Sequence, residues 1–144
     1  METIKLDAGI RTYKVQFAGT DDTAEIRFNP SDPALAVRFQ TFEQRLQACI
    51  DKVGDITLGE DGKPLAVEAV SKYAEFENEL RREIDETFNA DMSSVLFKHC
   101  APLAIVNGEY FVVQVFSALA PLIKKAIDAD HAAMEKHIGK YGKK

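Results

Sequence analysis

The segment Phe28–Pro33, with the sequence FNPSDP, divides this chain into two parts with different periodicities. Before it, apolar and polar residues alternate, as they do in half-buried strands. After it, apolar residues recur at helical steps of three and four. A proline cannot donate to a β-ladder, whereas Ser31 or Asp32 can cap a helix that starts on a proline. The sequence therefore predicts a β-rich head, residues 1–29, joined to a helical body, residues 33–140.

The length and composition are those of one ordinary folded domain, residues 1–144. The chain is 46% hydrophobic and 28% charged, which is typical of globular proteins. A net charge of -5 disfavours a nucleic-acid partner. The longest apolar stretch, Tyr110–Ile123, has 14 residues and is too short to cross a bilayer. With no signal-peptide pattern at the start, we expect a cytoplasmic protein that does not bind membranes, with Cys49 and Cys100 reduced.

The head is predicted to contain two or three short strands, with candidates at Thr3–Leu6, Thr12–Phe17 and Ala24–Phe28, arranged as a hairpin or meander. Each segment alternates apolar and polar residues. Turns are expected at Asp7–Gly9 and Ala18–Asp22, where glycine and aspartate favour chain reversal. Three short strands bury little surface, so the head must pack on the helical body.

Two amphipathic helices are predicted next, Pro33–Val53 and Pro64–Phe88, separated by a loop at Gly59–Pro64. Gly54 is expected to end the first helix. Its apolar residues follow steps of four, three, four, three and four, which makes one continuous seam. The seam consists of Leu35, Phe39, Phe42, Leu46, Cys49 and Val53.

The last part of the body contains one ambiguous stretch, Ile105–Val113. Asn107-Gly108 between β-branched residues is a hairpin signal, yet Val112, Phe116, Leu119, Ile123 and Ile127 continue at helical steps. We favour a helix that reaches about Ile138 and is kinked or divided at Pro121, after a short helical turn at Met92–Lys98. The predicted fold class is α+β, mainly α, with an N-terminal β-hairpin or meander before a bundle of about four helices.

The first half of the last helix is apolar on nearly every side, so it must be covered on every side. It is expected to lie at the centre of the bundle or in a subunit interface, and we predict a homo-oligomer. Together with Phe42 and Leu46, it should supply core or interface residues. The candidate partner or oligomer interface is Phe111, Val112, Val115, Phe116, Leu119 and Leu122.

No catalytic, cofactor or metal site is predicted, and the chain is not expected to be an enzyme. The glycines are scattered in turns rather than clustered before a helix. His99 and Cys100 are adjacent and lack an orienting residue. Asp128, His131 and Glu135 share one helix face, but one helix supplies only part of a metal coordination shell. A solvated face is the simpler interpretation.

Several of these features together resemble one family. A β-rich start, the FNPSDP joint, two amphipathic helices and the segment Phe116–Ile123, FSALAPLI, are similar to the small tail assembly chaperones of long-tailed bacteriophages and prophages. The resemblance covers about residues 24–129 and depends on this layout and two short segments. The family has no catalytic signature with which the chain could be compared.

The resemblance implies a protein that binds the tape measure protein, a long, hydrophobic, helical phage protein. The chaperone would keep it soluble until tube subunits assemble around it during tail morphogenesis. One alternative is a structural virion subunit of the tail or of head completion. Another is a small regulatory or secretion chaperone that works as a dimer. A chaperone would be absent from finished virions, whereas a structural subunit would be present in them.

Overall fold

The computed structural model describes residues 1–56 and 67–142. The fold is α+β and mainly α, with an N-terminal β-hairpin followed by four helices. A second, very short hairpin lies between the third and fourth helices. The elements in chain order are β1 (Arg11–Gln16), β2 (Thr23–Phe28), α1 (Pro33–Ile56), α2 (Val67–Phe88), α3 (Ser93–Leu96), β3 (Ile105–Val106), β4 (Glu109–Tyr110) and α4 (Phe111–Gly142).

The head is a two-stranded hairpin, which agrees with the predicted hairpin or meander of two or three strands. β1 pairs antiparallel with β2, with Tyr13 opposite Ile26. The predicted strand Thr3–Leu6 is wrong, because residues 1–10 form no regular secondary structure and are exposed. The expected turn is present: the Gly9 N–H donates to the Asp7 carboxylate at 2.8 Å, and Gly9 has a φ of +71°. The Asn29 side chain donates to the Ala8 carbonyl at 3.1 Å, so residue 8 lies beside the end of β2.

The joint between head and body starts α1 as its sequence predicts. The Ser31 N–H donates to the Asn29 side chain at 3.0 Å. Asp32 is the N-cap, since its carboxylate accepts from the Ala34 N–H at 2.9 Å. Pro33 therefore takes the first helical position, where the missing N–H costs nothing.

The seam of α1 is buried as expected, with Cys49 half-buried and the other five residues at most 7% exposed. The predicted end at Gly54 is wrong, because α1 continues to Ile56. A glycine lowers helix propensity by only about 1 kcal/mol, which a packed helix tolerates. α2 is described from Val67 onward. Its predicted start at Pro64 and the loop Gly59–Pro64 lie outside the described residues.

The ambiguous stretch contains both predicted structures in succession. Asn107 and Gly108 have φ values of 53° and 83°, and they connect β3 to β4 in a tight hairpin. The choice of helix for this whole stretch is therefore wrong: α4 begins only at Phe111 and continues through Pro121 to Gly142. Carbonyls of the preceding loop satisfy two N–H groups at its start. Phe111 N–H donates to the Ala104 carbonyl at 2.8 Å and Val112 N–H to the Pro102 carbonyl at 2.9 Å.

One hydrophobic cluster includes residues of β2 and of all four helices. Within it, a continuous series of ring contacts links the hairpin to the helices. Ring-centroid distances are 5.1 Å for Tyr13–Phe28, 5.0 Å for Phe28–Phe88, 5.9 Å for Phe88–Phe39 and 4.4 Å for Phe39–Phe116. The head therefore packs on the body through aromatic contacts. Among the helices of residues 1–56 and 67–142, none is long and apolar enough to cross a membrane.

Candidate functional site

An open groove of about 670 Å³ lies between α1 and α4. Its lining is mainly apolar, with charged residues along the rim. α1 contributes residues spaced by three, four and seven positions, and α4 contributes residues over three helical turns. The lining residues are Ala36, Phe39, Gln40, Glu43, Phe116, Ala120, Ile123, Lys124, Ile127 and Asp128.

Two stacked rings form part of the groove wall. The rings of Phe39 and Phe116 are 4.4 Å apart at an interplanar angle of 8°. Phe39 is 7% exposed, and Phe116 is half-buried and lies 6.2 Å from the Phe42 ring. Ala120 and Ile127, one and three turns further along α4, are also half-buried. These side chains leave apolar surface accessible within the groove.

The rim of the groove carries Glu43, Lys124 and Asp128, all exposed. A helix rises about 1.5 Å per residue, so the α4 wall from Phe116 to Asp128 is roughly 18 Å long. That length matches about three turns of another helix. An apolar floor with two acids and one lysine at its edge can bind an amphipathic helix whose flanking residues are mainly basic.

The six predicted interface residues occupy two environments. Val112, Val115 and Leu119 are at most 7% exposed and belong to the core of this chain. The other three are half-buried, and of these only Phe116 lines the groove. Phe111 packs edge-on against Phe97, with 6.1 Å between the ring centroids. The third half-buried residue is Leu122.

Sequence reasoning missed most of the groove. Ile123 and Ile127 follow Phe116 at helical spacing and line the groove, but they are not among the predicted interface residues. On α1, the groove is lined by the seam residue Phe39 and by its neighbours on one side of the seam, Ala36, Gln40 and Glu43. The helical spacing of these four residues is the signal that could have revealed this wall.

A second cluster joins α1 to α2 through a buried acid. Glu83 is 7% exposed, and its carboxylate lies 3.7 Å from the Arg45 guanidinium, which is largely exposed. Burial raises the pKa of Glu83, and the nearby Glu79 raises it further. Burial also raises the pKa of the neighbouring Cys49 thiol to about 11, so this thiol is protonated at neutral pH and is a poor nucleophile.

A third cluster fixes the β1–β2 turn to the residues after α3. The Asp22 carboxylate accepts from Lys98 Nζ at 2.8 Å and lies 2.7 Å from His99 Nε2. These hydrogen bonds hold the pKa of Asp22 below its usual range. The His99 ring also packs against Phe17, with 4.6 Å between ring centroids. The His99 imidazole is therefore held in place by Asp22 and Phe17. Burial raises the pKa of the adjacent Cys100 thiol.

Among the described side chains of α4, the acidic and histidine groups do not converge on a metal site. Asp128, His131 and Glu135 are exposed, whereas Asp130 contacts Ser31 and lies 3.5 Å from Arg11. In the part of the chain that the structure describes, no three His, Cys, Asp or Glu side chains are placed to hold a metal ion.

No protein-family model, curated protein or solved structure matches this chain.

Proposed function

We propose that this protein is a tail assembly chaperone that binds amphipathic helices of a phage tape measure protein in the groove between α1 and α4. The observation that carries the proposal is the accessible apolar wall formed by Phe39, Phe116 and Ile127. Its length of about three helical turns suits a segment of a long helical protein.

The groove chemistry fits a reversible chaperone. Covering the half-exposed Phe116, Ala120 and Ile127 removes apolar surface of both partners from water, which favours binding at about 25 cal/mol per Å². The surface involved is small, so each site binds weakly. Several copies along one long helical protein would act together, and incoming tube subunits could still displace them one by one.

The charges support the same proposal. Glu43 and Asp128 on the rim would pair with basic residues that flank the apolar face of the bound helix. The net charge of -5 would help to keep a coated, hydrophobic partner in solution. The work would take place in the host cytoplasm and would need several copies of the chain but no catalysis.

Coexpression with the tape measure protein of the same phage tests the proposal. Ala120→Arg places a long charged side chain in the groove, whereas Ala118→Arg places it on an exposed position of the same helix outside the groove. We expect the parent and Ala118→Arg to keep the tape measure protein soluble and to copurify with it. Ala120→Arg should lose both effects while remaining folded by circular dichroism.

Two results would contradict the proposal. The first is a tape measure protein equally insoluble with and without the parent chain. The second is the presence of this chain in purified virions at a fixed copy number, which would identify a structural subunit instead.

A further inference from the structure

The N-terminal segment, residues 1–10, exposes large apolar side chains that nothing in the described chain covers. Ile4 is 83% exposed and Leu6 is 87% exposed. No backbone hydrogen bond joins residues 1–6 to the rest of residues 1–56 and 67–142. Exposed aliphatic side chains at such density favour association with another surface.

The segment has the pattern of a strand with one apolar face. Ile4 and Leu6 alternate with Thr3, Lys5 and Asp7, so an extended backbone places the two groups on opposite faces. Such a strand is stable only when its backbone pairs with a sheet edge and its apolar face has neighbours. Among residues 1–56 and 67–142 it has neither.

The hairpin offers a matching edge on β1. In the described structure β1 pairs with β2 alone, so the N–H and C=O groups of its other edge have no backbone partner. Its inward-facing Tyr13 and Val15 are half-buried, whereas Ile26 and Phe28 of β2 are each 4% exposed. The apolar face of the sheet is thus incompletely covered at β1.

We propose that residues 3–7 add as an antiparallel third strand along residues 14–18 of a second copy, which are the end of β1 and the two residues that follow it, with each copy donating its segment to the other. A register that places Leu6 opposite Val15 extends the apolar face of the sheet. The same register places Asp7 opposite Lys14 on the polar face, where the opposite charges attract.

The copy's own β1 is out of reach in this register. With Asp7 opposite Lys14, the chain would have to reverse direction within residues 8–13, but residues 11–13 are already strand residues paired with β2. The 3.1 Å hydrogen bond from the Asn29 side chain to the Ala8 carbonyl also holds residue 8 beside the end of β2. A second copy carries the same edge without this constraint, which makes the exchange reciprocal.

Sedimentation equilibrium of the full chain tests the proposal with two matched variants. Leu6→Asp and Thr3→Asp each add one carboxylate to the exposed segment, but only the first lies on the apolar face. We expect a dimeric parent, an unchanged dissociation constant for Thr3→Asp and an increase of at least about tenfold for Leu6→Asp. A monomeric parent, or variants that behave alike, would overturn the proposal.

Disulfide trapping distinguishes exchange between copies from folding back within one copy. Leu6→Cys and Val15→Cys are made in separate chains in which Cys49 and Cys100 are replaced by serine. We expect mixed, oxidised chains to give a cross-linked product of twice the chain mass that contains one of each. If a disulfide forms only when both cysteines are in the same chain, at the mass of a single chain, the exchange does not occur.

Discussion

Phe42 and Phe116 belong to the same aromatic layer but differ in their access to water. Phe42 is 2% exposed, while Phe116 is half-buried and lines the groove. The hydrophobic contribution of a side chain follows the apolar area that folding removes from water. The two phenylalanines should therefore respond differently to the same truncation.

Phe42→Ala is expected to lower the free energy of unfolding by about 3–5 kcal/mol, the usual cost of removing a buried phenylalanine. Phe116→Ala should cost less, because part of its ring is already in water and its loss widens an open groove. Urea denaturation of both variants measures the difference. An equal or larger cost for Phe116→Ala would contradict its placement in an open groove.

Glu83 is expected to make stability depend on pH. Its folded-state pKa is raised by burial, so the folded protein binds this proton more tightly than the unfolded chain does. Stability therefore falls as pH rises from the ordinary glutamate pKa through the raised one, and the penalty is absent at lower pH. The Arg45 contact offsets little of it, because that guanidinium is largely exposed.

Glu83→Gln should thus be more stable than the parent at pH 7. The difference should vanish as pH falls below the ordinary glutamate pKa of about 4.3. Denaturation curves across this pH range provide the measurement, with Glu75→Gln, the same substitution at an exposed position of α2, as the matched control. A Glu83→Gln variant less stable than the parent at pH 7 would show that the pair with Arg45 outweighs the burial.

Among the secondary-structure elements, the seam of α1 was predicted correctly because its spacing is a local pattern within one segment. The hairpin signal at Asn107-Gly108 is equally local and the hairpin is present, but the helical spacing that follows it led to the wrong choice of helix for this stretch. The strand Thr3–Leu6 was mispredicted because a strand needs a distant partner, which alternation alone does not supply. The groove was missed for the same reason, since it joins Ala36 to Ile127 across two elements far apart in the chain.

Two glycines in different elements should respond oppositely to one substitution. Gly108 has a φ of +83°, where an alanine side chain costs about 1–2 kcal/mol, so Gly108→Ala should destabilise the β3–β4 hairpin. Gly54 lies within α1 with nothing within 4 Å of an added Cβ, so Gly54→Ala should stabilise by about 0.5–1 kcal/mol. Thermal denaturation compares them, and a shift of the same sign for both would contradict these backbone assignments.

At the scale of the whole molecule, the hairpin, α1, α2 and α4 are connected by the aromatic series that ends at Phe39 and Phe116. Phe28, Phe88 and Phe39 of this series belong to the hydrophobic core, and its last ring, Phe116, lines the groove. Polar contacts at Asp22 and Asp130 fix the hairpin to the residues after α3 and to α4. The elements that line the groove are therefore joined to the rest of the fold at several points. We expect the groove to be formed before a partner binds, which lowers the entropic cost of binding.

The central claim is that the groove between α1 and α4 binds an amphipathic helix. The most direct measurement is a titration of the labelled chain with a helical peptide of about three turns from the tape measure protein, followed by backbone and methyl NMR shifts. We expect the largest changes at Phe39, Ala120, Ile123 and Ile127, with little change along the exposed face of α2. Saturable binding whose shifts lie on α2 or the N-terminal segment, or no binding by any such peptide, would contradict the claim.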